Sequence, residues 1–212
     1  RDAQRAEAQL ARPGRDARSE RGEVHRRADS RVVRLRTHAA SVAQPRSPQP
    51  PMPTSCTAYL PDADATERAG RALARGLEGG MVVTLSGDLG AGKTTFARGV
   101  LRGLGWQGPV KSPSYTLLEH YPLSSLYLYH FDFYRFADPQ EWETVGAAEC
   151  FTPSSVGLVE WPERVEGLLP PADLAVHLAP ATGGDGRTLE LVATTTAGER
   201  CVAEIRKALQ AP

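Results

Sequence analysis

Residues 87–94 read GDLGAGKT, which satisfies the phosphate-loop pattern G-x-x-x-x-G-K-[ST]. The loop follows MVVTLSG (81–87), a β-branched apolar run typical of a strand buried inside a sheet, and precedes FARGVLRGL (96–104), which has helical periodicity. A glycine-rich loop at such a junction directs backbone N–H groups at phosphate oxygens, and the following helix adds the positive end of its dipole. The sequence therefore predicts a phosphate-binding loop between a strand and a helix.

The residues of this loop have separate expected roles. Lys93 is placed to reach the β and γ phosphates of a nucleotide and is predicted to be catalytic, and the Thr94 hydroxyl is placed to ligate Mg²⁺. Lys93 is also one of only three lysines in a chain that otherwise uses arginine. The predicted phosphate-binding run consists of Gly90, Ala91, Gly92, Lys93, Thr94 and Thr95.

Two acidic residues follow predicted strands elsewhere in the chain. Asp132 comes after LYLYHF (126–131), and Glu160 comes after SVGLV (155–159). Both positions correspond to the carboxyl end of a strand, where open α/β sheets bind nucleotides. Since a phosphate-loop enzyme needs a carboxylate there to hold its metal directly or through water, we predict that both are catalytic. For either acid alone, a solvated strand end is the alternative interpretation.

The predicted nucleotide is ATP. GTP-binding proteins recognise guanine with an [NT]-K-x-D loop, and neither Lys111 in VKSPS nor Lys207 in IRKAL provides one. Thr66, at the start of the first predicted helix, is a candidate contact to adenine. Helix capping is the alternative role for this threonine.

Strands and helices alternate along the chain from Thr57 onward. The predicted strands are 57–61, 81–87, 125–132, 155–161, 173–180 and 187–195, and the predicted helices are 65–77, 96–104, 138–151 and 197–210. The last two strands are separated by a GGDG turn and form a predicted hairpin. We therefore predict an α/β fold: a P-loop NTPase sandwich with a mainly parallel central sheet, an antiparallel hairpin at one edge and helices on both faces.

Composition narrows the classes of protein to which this chain can belong. The chain has 212 residues, of which 41% are apolar and 24% charged, as in ordinary globular proteins. Its three cysteines lie far apart, so we expect free thiols. The chain has neither an apolar run of membrane-spanning length nor an apolar signal segment near its first residue. We expect a cytoplasmic protein with no membrane contact.

Charge is distributed unevenly along the chain. Residues 1–50 hold 12 of the 25 Lys and Arg but 6 of the 25 Asp and Glu, which leaves a net charge of −6 on the remainder. An acidic body argues against direct nucleic-acid binding over a broad basic face. We predict a disordered Arg/Pro-rich extension over 1–51 and an ATPase domain over 52–212. The extension is alternatively a nucleic-acid arm, a transit peptide, or a segment upstream of a natural start at Met52.

Four ordered motifs carry a resemblance to a known family. These are GDLGAGKTTFARG (87–99), VKSPSYTLLE (110–119), YHFDFYR (129–135) and LVEWPE (158–163). In this order and spacing they resemble the TsaE family, formerly YjeE, over about residues 57–212. The resemblance implies a small bacterial ATPase required for threonylcarbamoyladenosine in tRNA. It also implies TsaB and TsaD as partners, with tRNA reached only through their complex.

The resemblance also implies roles for individual residues. Thr94 and Glu160 would hold Mg²⁺, and Asp132 matches the acid whose loss inactivates family members. Ser112 belongs to a switch-like segment, 112–116, whose hydroxyls can sense the γ phosphate. Trp161 would couple the nucleotide site to the partner surface, and a half-buried packing role is its alternative.

The expected activity is slow ATP hydrolysis stimulated by partners. The motifs contain no strong general base, and Arg135 is the candidate arginine finger in them, although it could instead pair with Asp132 as a structural clamp. A small-molecule kinase is one rival, but it usually needs arginines in a mobile lid, and 138–153 contains neither Arg nor Lys. A nucleotide-bound interaction module that does not hydrolyse ATP is the other rival.

Overall fold

The computed structural model describes residues 54–183 and 185–210, and the predicted extension over 1–51 lies outside them. The strands are β1 (Thr54–Leu60), β2 (Val82–Ser86), β3 (Leu118–Pro122), β4 (Tyr127–Asp132), β5 (Ser155–Glu160), β6 (Leu174–Pro180) and β7 (Arg187–Ala193). The helices are α1 (Ala63–Leu73), α2 (Lys93–Gly103), α3 (Pro139–Thr144) and α4 (Thr196–Gln210). Short 3₁₀ turns cover Ala74–Gly76, Ala147–Cys150 and Pro162–Val165.

The strands form one sheet in the order β1-β7-β6-β2-β5-β4-β3. The four inner strands β6, β2, β5 and β4 are parallel, whereas β1, β7 and β3 join by antiparallel pairing. The predicted mainly parallel sheet is confirmed, and the hairpin of β6 and β7 is present. Antiparallel pairing occurs at both edges because β1 covers β7 on one side and β3 covers β4 on the other. The sequence prediction missed β3, whose sequence LEHYP has no strand-like apolar alternation.

The parallel register places two acids side by side. Asp132 at the end of β4 lies opposite Glu160 at the end of β5, which in turn lies opposite Leu85 of β2. Residues opposite each other in register share one face of a sheet. Both acids therefore lie next to the point where the chain leaves β2 and enters the 87–94 loop.

Helices cover both faces of the sheet, as predicted. Buried side chains of α1, α2 and α4 pack with Leu128 and Leu158 in one apolar cluster. Phe131 and Val159, which alternate with those leucines along β4 and β5, belong to a second cluster with Trp142 of α3. The second cluster is rich in aromatic rings, and Phe131 stacks on Phe151 at a centroid distance of 5.4 Å.

The predicted helix over 138–151 is two shorter pieces. Its start is confirmed, because the Asp138 side chain accepts a hydrogen bond of 2.9 Å from Gln140 N. However, α3 ends at Thr144, and Gly146 adopts a left-handed conformation with φ of 63° before the 3₁₀ turn Ala147–Cys150. A left-handed residue cannot continue a right-handed helix, so one continuous helix was wrong.

The expected free thiols are present, with Cys150 and Cys201 buried and Cys56 partly exposed. Across 54–183 and 185–210, no helix combines the length and the apolar character needed to cross a membrane.

Candidate nucleotide-binding site

The 87–94 loop leaves the N-terminus of α2 open. Gly92 precedes the helix with φ of 109°, a left-handed conformation that glycine adopts without steric cost. No side chain among the described residues caps α2, whereas α1 is capped by the Asp62 carboxylate. The first N–H groups of α2 therefore remain available to a ligand.

A cavity of about 450 Å³ lies in front of this helix. One part of its lining, the loop wall, consists of Leu89, Gly90 and residues 92–95, and another part, the carboxylate wall, consists of Asp132 and Glu160. The cavity brings together nine of the predicted site residues: Gly90, Gly92, Lys93, Thr94, Thr95, Ser112, Asp132, Glu160 and Trp161. Two predicted residues, Ala91 and Thr66, do not line it.

Lys93 is held by its own loop. Its Nζ donates to the carbonyl oxygens of Gly87 at 2.6 Å and Asp88 at 2.9 Å, and only 5% of the residue is exposed. Burial lowers the pKa of the Lys93 ammonium below its usual value, and the negative charges of Glu160 and Asp132 oppose this shift. The lysine is thus a buried cation beside two buried acids.

Thr94 and Glu160 place two oxygen ligands next to each other. Thr94 Oγ1 lies 3.3 Å from Glu160 Oε2, and Glu160 is 2% exposed. A hydroxyl and a carboxylate at the start of a phosphate-facing helix fit Mg²⁺, which prefers hard oxygen ligands and shares them with phosphates and water. The residues therefore suit the predicted metal.

Asp132 joins two loops beside the cavity. Ser112 Oγ donates to Asp132 Oδ2, and the backbone N–H of Tyr134 donates to Oδ1 at 3.0 Å. Asp132 is buried, with 3% exposure. The carboxylate consequently connects the 112–116 segment with the chain that follows β4.

The alternative pairing of Arg135 with Asp132 does not form among the described side chains. The Arg135 guanidinium lies 4.5 Å from the Tyr115 ring centroid, and its Nη2 is 3.3 Å from Tyr115 Oη. Both oxygens of Asp132 already have nearer donors, and Tyr115 offers a flat ring that an exposed guanidinium can stack on.

Trp161 contacts the predicted phosphate-binding lysine. The centroid of its ring lies 3.8 Å from Lys93 Nζ and 5.1 Å from the Tyr134 ring centroid. Its backbone has φ of 61°, a conformation that costs energy for a residue with a large side chain. The side chain is thus half-buried in the wall of the cavity, where it covers the ammonium group.

Thr66 lies close to Gly92 but outside the lining of the cavity. It is fully buried, and its hydroxyl donates to the Asp62 carbonyl oxygen at 3.0 Å. The cap of α1 is Asp62, whose carboxylate accepts from Ala65 N at 2.6 Å, so the capping alternative proposed for Thr66 was wrong. The hydroxyl of Thr66 is already used within the helix.

Arg187 is a cavity residue that sequence reasoning missed. It is the first residue of β7, and its Nε donates to the Ala91 carbonyl at 2.8 Å. A second cavity of about 400 Å³ adjoins the loop on this side and is lined in part by Pro61, Pro180 and Arg187. No local motif marks this arginine, because the sheet topology alone brings β7 next to the loop.

The fold and this cavity define a P-loop α/β protein. The architecture agrees with a solved structure described as "Crystal structure of Bacillus subtilus YdiB", at a TM-score of 0.61 and 31% identity. The match covers 74% of this chain and 97% of that one.

A family model described as "Threonylcarbamoyl adenosine biosynthesis protein TsaE" matches residues 60–189. The chain is 44% identical to a Haemophilus influenzae protein named "tRNA threonylcarbamoyladenosine biosynthesis protein TsaE", over 70% of this chain and 96% of the relative. It is 41% identical to a Bacillus subtilis protein of the same name, over 60% of this chain and 79% of the relative. The chain belongs to the TsaE family.

Proposed function

We propose that the protein binds ATP with Mg²⁺ in this cavity and hydrolyses it slowly. The observation that carries the proposal is the meeting of Lys93 and the open N-terminus of α2 with two buried acids, Asp132 and Glu160. A cation and free N–H groups suit phosphates, and the acids suit a metal bound to those phosphates.

Phosphate binding would release Lys93 from its present partners. The ammonium now donates to the carbonyls of Gly87 and Asp88, which are neutral acceptors. Because charge-assisted hydrogen bonds to phosphate oxygens are stronger, we expect Lys93 to turn toward the β and γ phosphates. Backbone N–H groups of Gly92 and Lys93 would bind the same phosphates from the helix side.

The metal would be held by the Thr94 hydroxyl and, directly or through water, by the Glu160 carboxylate. When bound, Mg²⁺ neutralises charge on the β and γ phosphates and orients them. Only 2% of Glu160 is exposed, so bulk water screens the charge of its carboxylate poorly.

Asp132 would link the γ-phosphate position to the surface of the protein. It accepts hydrogen bonds from Ser112 and from Tyr134 N, so a displacement of its carboxylate pulls on both loops. Ser112 begins the 112–116 segment, in which Tyr115 is 83% exposed. A change at the phosphate can thus alter the conformation of an exposed segment to which a partner protein binds.

Hydrolysis by the protein alone should be slow. The two arginines that line the cavity are both engaged, Arg187 by the Ala91 carbonyl and Arg135 by Tyr115. Chiefly Lys93 and the metal would therefore stabilise the transition-state charge on the γ phosphate. A partner would raise the rate by rearranging the two arginines or by supplying a further cationic group.

The biological role we propose is support of threonylcarbamoyladenosine formation in tRNA, in the cytoplasm, through TsaB and TsaD. The names of the family and of its relatives support the part of this role that concerns threonylcarbamoyladenosine biosynthesis. The net charge of −6 beyond residue 50 supports indirect contact with tRNA through the partner complex.

Steady-state hydrolysis of ATP and GTP by the full 212-residue chain tests the proposal, measured alone and with purified TsaB and TsaD. We expect weak, ATP-selective turnover that increases with the partners and is absent in Lys93→Ala. Lys207→Ala is the matched control, because that lysine is exposed and its contact is Glu204 rather than the cavity.

Three results would contradict the proposal in different ways. Equal turnover of both nucleotides would remove the assignment to ATP. Phosphate transfer to a small acceptor would establish the kinase alternative. Partner-dependent nucleotide binding without hydrolysis in any combination would identify an interaction module.

A further inference from the structure

His130 makes a direct contact with the Glu160 carboxylate. Its Nε2 lies 2.9 Å from Glu160 Oε1, and neither residue is more than 2% exposed. The other carboxylate oxygen, Oε2, faces Thr94 Oγ1 at 3.3 Å. The two oxygens of Glu160 thus have different partners, one in β4 and one at the start of α2.

The other ring nitrogen of His130 indicates how the proton is placed. Nδ1 is buried and has no hydrogen-bond partner among the described residues. A proton on Nδ1 would be a buried donor without an acceptor, which costs free energy. We therefore place a ring proton on Nε2, which then donates to Glu160 Oε1.

The strand register explains why this histidine reaches Glu160. Asp132 lies directly opposite Glu160, and His130 lies opposite Leu158, two residues before Glu160 on the same face. The imidazole therefore approaches Glu160 diagonally from within the core, while Asp132 takes the position at the cavity. The contact fixes the carboxylate from the side that faces away from solvent.

We propose that His130 is a positioning residue for the metal site. By donating to Oε1, it keeps Oε2 turned toward Thr94 and the place where Mg²⁺ would be held. Without this donor, the carboxylate is free to rotate toward the Lys93 ammonium, to which it is already attracted. The inference rests on the proposed binding of ATP with Mg²⁺ and assigns a specific part of it to a residue outside the cavity lining.

Three variants separate this role from simple packing. His130→Gln keeps an amide N–H at a reach close to that of Nε2, whereas His130→Asn carries the same group on a shorter side chain that falls short of Glu160. His130→Leu removes the donor and retains an apolar side chain among buried neighbours. The variants His130→Gln and His130→Asn carry the same amide group and differ only in side-chain length.

The measurement is the affinity of a fluorescent ATP analogue for the full-length chain, in EDTA and across a Mg²⁺ titration. Loss of a group that orients a metal ligand typically weakens metal binding by about 10- to 100-fold. We expect the Mg²⁺ midpoint of His130→Leu and His130→Asn to rise at least about tenfold and that of His130→Gln to stay within about threefold. For the same variants, the affinity for the analogue should fall much less in EDTA than in the presence of Mg²⁺.

The outcomes distinguish failure of the inference from failure of the proposed function. If the unsubstituted protein binds the analogue with Mg²⁺ and all variants share its midpoint, the inference alone is overturned. Equal impairment of His130→Gln and His130→Asn, or a loss in EDTA as large as in Mg²⁺, would assign His130 to packing. If the unsubstituted protein shows no Mg²⁺-dependent binding, both proposals fail. Should His130→Leu not fold, the comparison of Gln with Asn decides.

Discussion

The two walls of the cavity are built in different ways. The loop wall comes from one short stretch, residues 89–95, which runs from the phosphate loop into the first turn of α2. The carboxylate wall comes from Asp132 and Glu160, which are 28 positions apart in sequence and meet because β4 and β5 pair in parallel register. A local motif therefore specifies one half of the site, and the sheet topology specifies the other.

This difference predicts that the two walls have separate functions, nucleotide binding and catalysis. The loop wall offers Lys93 and backbone N–H groups, which recognise phosphates whether or not a reaction follows. The carboxylate wall offers acids, which repel phosphates unless a metal is present and therefore matter most for the metal and the reaction. Substitutions in the two walls should separate binding from turnover.

The largest effect is expected from Lys93→Ala, which breaks the loop wall. Loss of two charge-assisted hydrogen bonds to phosphates should weaken ATP binding at least about 100-fold. Fluorescence titration with an ATP analogue measures the change. An affinity within threefold of the unsubstituted protein would show that the phosphates are not bound at this lysine.

Asp132→Ala tests the opposite wall. We expect turnover in the presence of TsaB and TsaD to fall about 100-fold, because a group that orients the reacting centre is removed. Binding of ATP should fall less than turnover, which single-turnover and equilibrium measurements distinguish. Asp64→Ala, in the exposed first turn of α1, is the matched control. Equal losses in binding and turnover would mean that the walls do not divide these tasks.

Arg187→Ala examines whether the loop wall is wholly local. Its guanidinium holds the Ala91 carbonyl at 2.8 Å from a different strand, so its loss should loosen the loop. We expect ATP affinity to fall about tenfold, as for the loss of one charge-assisted hydrogen bond. Arg200→Ala, whose guanidinium contacts Glu78 on the surface, is the control. Unchanged affinity would show that the 87–94 loop holds its conformation without help from β7.

The sequence specified the loop wall well and the carboxylate wall less completely. The glycine-lysine pattern pointed to Gly90, Gly92, Lys93 and Thr94, and the strand-end rule to both acids, all of which line the cavity, because each signal is contained in a short stretch. Arg187 and His130 carry no such signal: one depends on β7 reaching the loop, the other on a diagonal contact between β4 and β5. Long-range pairing brings these residues to the site, and a single sequence does not encode it in a local pattern.

One error in the fold has the same origin, and two others concern local backbone features. Strand β3 was missed because its stability comes from pairing with β4 rather than from its own apolar alternation. The helix over 138–151 was predicted too long because its apolar residues continue at helical spacing beyond Gly146, where the backbone turns left-handed. The Asp62 cap of α1 was also overlooked in favour of Thr66.

Gly146→Ala should have a smaller effect, confined to stability. A side chain in the left-handed region costs about 1 kcal/mol or somewhat more, so the free energy of unfolding should fall by that amount. ATP affinity should remain unchanged, because Gly146 lies outside both walls. Chemical denaturation measures the change, and Gly146→Asn, which tolerates this conformation better, should lose less. An unaffected Gly146→Ala would mean that the turn is not needed at this position.

The smallest expected effect is a pH dependence that comes from the loop wall. Burial lowers the pKa of Lys93 in the folded protein below the 10.5 of an unperturbed lysine. Between these two pKa values the unfolded chain binds more protons than the folded one, so this lysine makes the free energy of unfolding rise with pH. Unfolding measured at pH 8 and pH 10 without nucleotide should show a smaller rise in Lys93→Met. A steeper rise in the variant would contradict the assignment.

Calorimetric titration of ATP and GTP into the full-length chain, with and without Mg²⁺, tests most directly whether the two walls form one site. We expect saturable binding of one ATP per chain, tighter than that of GTP and strengthened by Mg²⁺ in the unsubstituted protein but not in Glu160→Gln. Binding of ATP that is equally tight with and without Mg²⁺ in both proteins would show that the loop wall acts alone. Absence of saturable ATP binding would contradict the account as a whole.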